Sequence, residues 1–277
     1  MNTFRVQQVI RNTASYALLI VLSIVMGFPL LWVILTSVKN RREVFNQLLP
    51  SRIDVSNFGR VWNEMNLPLH MGNSLFVTGL NVAIVVVTAT LAGYAFARLT
   101  FRRRDTIFYA FIVAMMIPGQ AVLIPMFQYL KNLGLLNSHV GLSLSMTGGA
   151  IAFAIFLMRS FFRSLPGELG DAGKIDGCND WGVFRHIYLP LARPGIATVI
   201  IFQFMGTWNE FMFSTTFIST PSAKTIQPAL YQVVGRYSID YTALSSGLLL
   251  AIIPILVVFL LLQKQFIRGL TAGAFKG

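Results

Sequence analysis

Asp171, Lys174, Asp176 and Asp180 crowd into one polar stretch, GDAGKIDGCNDWGVFRHIYLPLARPG at positions 170–195, and Glu168 stands just before it. Neighbouring carboxylates are raw material for acid–base chemistry, but that chemistry needs a nucleophile or base held beside them, and no such constellation accompanies these. The three histidines, His70, His139 and His186, are far apart in the chain and lack metal-ligand spacing. No GxxxxGK[ST] loop is present to cradle nucleotide phosphates. No catalytic residue and no metal ligand is therefore assigned. The chemistry left to the acidic stretch is charged contact with another surface. One further acid, Glu210, lies with Trp208 and Asn209 inside an apolar run. An ionisable group in that setting is either a functional polar site or a hydrogen bond between helices.

The polar stretch reads as two short helices. Ser164 fits the N-cap of the first and Pro166 its first turn. Glu168 and Asp171 come early and Lys174 late, which complements the helix dipole, and Gly177 ends the helix. Leu165, Leu169 and Ala172 give this helix a narrow apolar ridge. Gly170 and Gly173 each cost about 1 kcal/mol of helix propensity relative to alanine, but they let another surface approach the backbone closely. Asp180 fits the cap of the second helix, Trp181, Phe184 and Tyr188 share a face, and Pro190 and Pro194 break the chain beyond it. The first helix is either a docking element for a cytoplasmic partner or an interfacial helix lying on the membrane. Its mixed charges favour docking, because a membrane-surface helix carries a Lys/Arg-rich polar face.

The elements around this stretch are membrane spans. The chain is 55% hydrophobic and 12% charged, where a soluble domain carries about 25% charged residues. Six apolar runs, at 14–38, 71–97, 106–129, 140–162, 195–217 and 244–263, are each long enough to cross a bilayer as a helix. A transmembrane barrel would show short alternating segments instead. The expected class is an all-α membrane protein with six transmembrane helices. The first run, preceded by Arg5 and Arg11, is too long for a cleavable signal and reads as a retained anchor. Cys178 is the only cysteine, which excludes an intramolecular disulfide. Asn81 and Gln120 are expected as helix-to-helix glue, and Met115, Met116, Phe202 and Phe204 as core or lipid-facing residues.

The formal net charge of +12 is read as basic anchors beside a bilayer, not as a nucleic-acid surface. With the N-terminus in the cytoplasm, fourteen lysines and arginines fall on the cytoplasmic side and eight outside. Both termini and the 164–193 loop are thereby expected in the cytoplasm, and the segments 39–70, 130–139 and 218–243 outside.

With these elements placed, the polar stretch resembles the signature of ABC importer membrane subunits: Glu-Ala-Ala, three residues, Gly, then Ile/Leu-x-Leu-Pro. Here it reads Asp171-Ala172-Gly173-Lys174-Ile175-Asp176-Gly177, continuing to Ile187-Tyr188-Leu189-Pro190. Asp171 replaces the usual Glu and Gly173 the second Ala, while the spacing is intact. "IDG" at 175–177, "WNEF" at 208–211, "NSL" at 73–75, "AGYAFARLTF" at 92–101 and the ending "GLTAGAFKG" are similar to the carbohydrate-uptake branch, within it the maltose-type "G" permease.

The resemblance implies a type I ABC importer permease (MetI-like) fold. It divides the chain into an anchor helix and first outer loop at 1–70, a permease core at 71–265 with the coupling loop 164–193, and a cytoplasmic tail at 266–277. It also implies that Glu168, Asp171, Ala172, Gly173, Lys174, Asp176 and Gly177 contact a cytoplasmic ATPase, with Thr271, Ala272 and Gly273 as a second contact. The implied partners are a sister permease, two ATP-binding subunits that hold ATP and Mg, an extracytoplasmic sugar-binding protein, and the lipid bilayer of a bacterial inner membrane. No cofactor and no enzymatic activity are expected of this chain. Two alternatives stand beside sugar import: a permease for glycerol phosphate or another polyol, and a self-sufficient secondary transporter. The second would show inverted repeats and a paired ionisable site, and the sequence shows neither clearly.

Overall fold

The computed structural model describes residues 2–233 and 239–274, with side chains described at residue 8 and over 11–233 and 239–267. The described residues form thirteen α-helices joined by short turns. Two compact units emerge: Met1–Leu67 with Leu230–Leu250, and Pro68–Ala229 with Ala251–Gly277.

In the first unit α1 (Asn2–Ser37) is exposed from residue 11 to residue 31, an apolar surface that only lipid or another protein can cover. Its C-terminal end is pinned instead by polar contacts. Buried Lys39 donates Nζ–H to the Gln47 carbonyl at 2.6 Å and stands 4.9 Å above the Trp32 ring. Asn57, in α2 (Ser56–Glu64), donates to the carbonyls of Ser37 and Lys39 at 3.0 Å each. Asp240 closes the unit by accepting Arg60 at 3.0 Å, Arg41, and the Ala243 N–H at 3.1 Å. Burial pushes its carboxyl up, but the hydrogen bonds from Ala243 and Thr242 and the two guanidinium groups outweigh that and hold it below the usual range.

The second unit is built on α3 (Leu67–Arg98) and α6 (His139–Ser164), which cross where Gly93 meets Met158. Asn81 is fully buried between them: its amide donates to Ser143 O at 2.9 Å and Thr147 Oγ1 at 3.0 Å, and its carbonyl accepts Thr207 at 3.0 Å and Gln203. It is the helix glue expected of it. At the polar end Arg159 lies over the Phe108 ring at 3.7 Å, pairs with Asp105 at 2.7 Å and donates to Phe96 O, tying α6 to α3 and to α4 (Arg104–Ala114).

Four helices are long and apolar enough to cross a membrane: Arg11–Ser37, Leu67–Arg98, His139–Ser164 and Tyr241–Ile267, the last within α13 (Tyr241–Ala274). The other two expected spans are broken. Instead of one helix over 106–129, α4 stops at Ala114 and the chain turns by 89° through Pro118 into Gly119–Asn132, which contains α5 (Leu123–Asn132). Proline explains the stop, since it removes an N–H and drives the residue before it out of helical geometry. Instead of one helix over 195–217, α10 (Arg193–Trp208) ends at Trp208, and α11 (Met212–Phe217) starts after a short non-helical segment. Gln120 is exposed in the first break and makes no helix-to-helix hydrogen bond among the described residues.

Candidate functional site

The polar stretch forms a compact loop of two packed helices. α6 runs on to Ser164, whose hydroxyl bonds back to Phe161 O at 2.8 Å, so Ser164 does not cap the next helix. Leu165 is extended, as a residue before proline prefers, and α7 (Glu168–Ile175) begins with Gly167 at its N-cap. At the other end Gly177 has φ +88°, its N–H bonds to Lys174 O at 3.0 Å, and the Cys178 N–H bonds to Gly173 O at 2.9 Å. This is a Schellman stop, and the left-handed residue it needs is the glycine found there. Asn179, not Asp180, caps α8 (Asp180–Val183), accepting the Gly182 N–H at 2.8 Å. Asp180 lies one residue too late to cap and instead pairs with Lys174 at 2.9 Å, a hydrogen bond that raises the lysine above its ordinary value.

Beyond α8 the helix widens into a π turn over Phe184–Tyr188, continues as α9 (Leu189–Leu191), and bends by 69° into α10. Pro190 accounts for the widening, because its ring excludes the ordinary i−4 carbonyl. Phe184 and Tyr188 face inward, whereas Trp181 is 58% exposed, so only two of the three aromatics share the buried face.

The two glycines of α7 point inward. A Cβ on Gly170 would stand 3.0 Å from Tyr188 Oη, and one on Gly173 would collide with Ile187 Cδ1. The close approach these glycines allow is therefore made by the chain's own second helix. Outward stand Glu168, Leu169, Asp171, Ala172, Lys174, Ile175, Asp176 and Gly177, with Ile175 86% exposed. Leu169 and Ala172 thus belong to the outward face, although Leu165 packs against the core.

Arg98 anchors the loop to α3. It donates to Phe162 O at 2.6 Å and to Leu165 O, and its guanidinium lies 4.7 Å over the Tyr188 ring. The Tyr188 hydroxyl in turn donates to Pro166 O at 3.2 Å. Sequence reasoning counted Arg98 and Arg159 as charge markers and missed these contacts, since a charge count carries no partner.

The second candidate group is split. Trp208 is buried, stacks on Phe204 at 5.6 Å and donates Nε1–H to Ala251 O at 3.0 Å, a packing role. Asn209 is exposed and accepts Gln227 at 3.2 Å. Glu210 accepts the Phe213 N–H in the first turn of α11 at 2.8 Å, and lines a cleft of about 440 Å³. His70 and His139, distant in sequence, bond to the adjacent carbonyls of Lys224 and Ala223 at 2.8 Å each and so fasten the turn at 223–224. Thr271, Ala272 and Gly273 lie at the end of α13, and their side chains fall outside the described residues.

Exposed apolar helices long enough to span a bilayer, two broken spans and one charged helical hairpin held at a polar end define a polytopic membrane protein of the transporter class. Residues 86–272 match the family described as binding-protein-dependent transport system inner membrane component, and the chain belongs to that family. It is 33% identical over 267 residues to the diacetylchitobiose uptake system permease protein of Streptomyces coelicolor, covering 95% of this chain and 88% of that one. It is 31% identical over 278 residues to the galactooligosaccharides transport system permease protein of Bacillus subtilis, covering 99% and 98%. Its fold is that of a chain in the crystal structure of a bacterial ABC transporter that imports the acidic polysaccharide alginate, with a TM-score of 0.82, 24% identity and coverage of 94% and 98%.

Proposed function

We propose that this chain is one permease of an ATP-driven sugar importer, with both termini and the 164–193 loop in the cytoplasm. In this reading it pairs with a sister permease, receives sugar from an extracytoplasmic binding protein, and docks α7 on a cytoplasmic ATPase. ATP and Mg belong to that ATPase. The observation that carries the reading is the outward row of Glu168, Asp171, Lys174 and Asp176 on a helix clamped to the ends of two spans. A helix so held transmits force, because Arg98 and Tyr188 leave it little freedom to move apart from α3 and α6. Membership of a binding-protein-dependent transport family supports the same reading, as does the sugar uptake named for the two relatives.

The test is reconstitution of the complete complex with Asp171→Lys and Gly177→Val variants. Lysine at 171 reverses the charge presented to the ATPase. Valine at 177 strains a φ of +88° by about 1–2 kcal/mol or more, although nothing lies within 4 Å of the new Cβ. Both variants should insert normally and lose most ATPase co-purification or sugar-stimulated hydrolysis. Wild-type stimulation by both would sink the coupling role of α7.

A further inference from the structure

The turn between α3 and α4, TFRRRD at 100–105, holds the only run of three consecutive basic residues in the chain. It walls a cavity of about 430 Å³ lined by Thr100, Phe101, Arg103, Arg104, Asp105 and Thr106. Asp105 is the one acid of that lining, and it is already engaged: Arg159 pairs with it at 2.7 Å and Arg104 at 3.4 Å. Arg102 and Arg103 are exposed and form no ion pair among the described residues. The hydroxyls of Thr100 and Thr106 make no hydrogen bond there either. One turn thus presents two uncompensated guanidinium groups beside two free hydroxyls. Arg163, exposed one turn beyond Arg159 on α6, adds positive charge nearby.

Such a wall fits an anion with several acceptor oxygens, and guanidinium groups match phosphate in particular, with two parallel hydrogen bonds each. The adjoining surface narrows the source of that phosphate. Phe101, Ile107 and Tyr109 are all exposed, and α4 lies in an apolar segment long enough to enter a bilayer. A free phosphate ion has no use for apolar side chains, whereas a phospholipid needs a cationic seat and an apolar wall side by side. A choline or ethanolamine headgroup would also bring its ammonium against the unpaired arginines, and a headgroup without a cation would not. We propose that the TFRRRD turn binds the phosphodiester of an anionic phospholipid, with the acyl chains along the exposed apolar side chains of α4. Basic pockets at the ends of spans hold anionic headgroups in this way. The proposal needs only that the chain sits in a bilayer, so it stands apart from the importer reading.

The test titrates phosphatidylglycerol or phosphatidylcholine into the delipidated full chain, within the complex in which it purifies, and counts bound lipid by native mass spectrometry. Phosphatidylglycerol should bind more tightly than phosphatidylcholine by about tenfold or more. Arg102→Gln combined with Arg103→Asn should remove most of that preference, through a fall of about tenfold in phosphatidylglycerol affinity alone. Asparagine suits position 103 because the backbone there is left-handed, with φ +61°. Neither arginine has an ion-pair partner in the fold, so the unfolding midpoint should be unchanged. Arg42→Gln combined with Arg52→Gln removes the same charge at two exposed sites of the 39–70 segment and should leave the preference intact. Equal affinity for the two lipids, or a preference that survives Arg102→Gln with Arg103→Asn, would overturn the proposal. An equal loss from the Arg42 and Arg52 changes would reduce the effect to net charge. Displacement by inorganic phosphate at the concentration of the lipid would make the cavity a site for a free anion. A lowered unfolding midpoint would make the two arginines part of the fold and not of a lipid site.

Discussion

What a glycine does here depends on what its missing Cβ would meet. Gly93 and Gly79 both lie on α3, a little under four turns apart. A Cβ at Gly93 would come within 2.6 Å of Met158 Cβ and 3.0 Å of the Arg159 N, whereas one at Gly79 would meet nothing within 4 Å. The neighbour at Gly93 is the root of a side chain and backbone, so it can yield only if α3 and α6 separate. Overpacking of this kind costs about 1–3 kcal/mol. Gly93→Ala should lower the thermal unfolding midpoint of the purified protein, and Gly79→Ala should leave it unchanged or raise it through about 1 kcal/mol of helix propensity. Equal effects from the two substitutions would mean that the crossing at Gly93 is not tight. Their letters are identical in the sequence; only the crossing partner distinguishes them.

The elements themselves were legible where one strong local signal governs them. Apolar runs located four uninterrupted spans, and Gly177 announced the end of α7 because a left-handed stop needs it. The breaks in spans three and five were hidden because a span-length hydropathy window averages across them: Pro118-Gly119 is a turn signal set inside one apolar run, and Asn209-Glu210 are two polar residues inside another. The inward turn of Gly170 and Gly173 was hidden because small residues permit close approach without naming the partner. Two clasps settle elements that the pattern leaves loose. Arg98 joins α3 to the root of α7. Arg98→Met keeps much of the apolar stem and removes the donors, so sugar moved per ATP hydrolysed should fall about tenfold while the ATPase still co-purifies; unchanged coupling would reduce Arg98 to a packing residue. Asp240 clasps Arg41 and Arg60 in the other unit. Its folded value lies below the 3.8 of a free aspartate. Its stabilisation is therefore complete above about pH 4 and is withdrawn as the pH falls through the lower folded value. Asp240→Asn should lower the unfolding midpoint at pH 7 and flatten its decline below about pH 4. An unchanged acid limb would mean that other carboxylates set it.

At the scale of the whole molecule, charge decides how the spans are threaded. In the proposed orientation, fourteen of the twenty-two basic residues fall on the side assigned to the two termini and α7. Such a bias sets orientation when it lies close to the span ends, as Arg102, Arg103 and Arg104 do beside α4. Not all of them remain free anchors: Arg98, Arg104, Arg159 and Lys174 are engaged on the one side, and Lys39, Arg41 and Arg60 on the other. Removing these from both counts leaves ten against five, so the bias does not hang on them. The sequence supplies its own probe, because Cys178 is the only cysteine and sits half-buried in the turn after α7. A membrane-impermeant maleimide should label it in inside-out vesicles and not in intact cells. The opposite face is tested by Leu49→Cys in a Cys178→Ser background, since Leu49 is exposed and lies in the 39–70 segment that the proposed orientation puts outside. That cysteine should react in intact cells and be protected in sealed inside-out vesicles. Exchange of the two patterns would invert the protein in the membrane, put α7 out of reach of any cytoplasmic ATPase, and remove the basis for its coupling role.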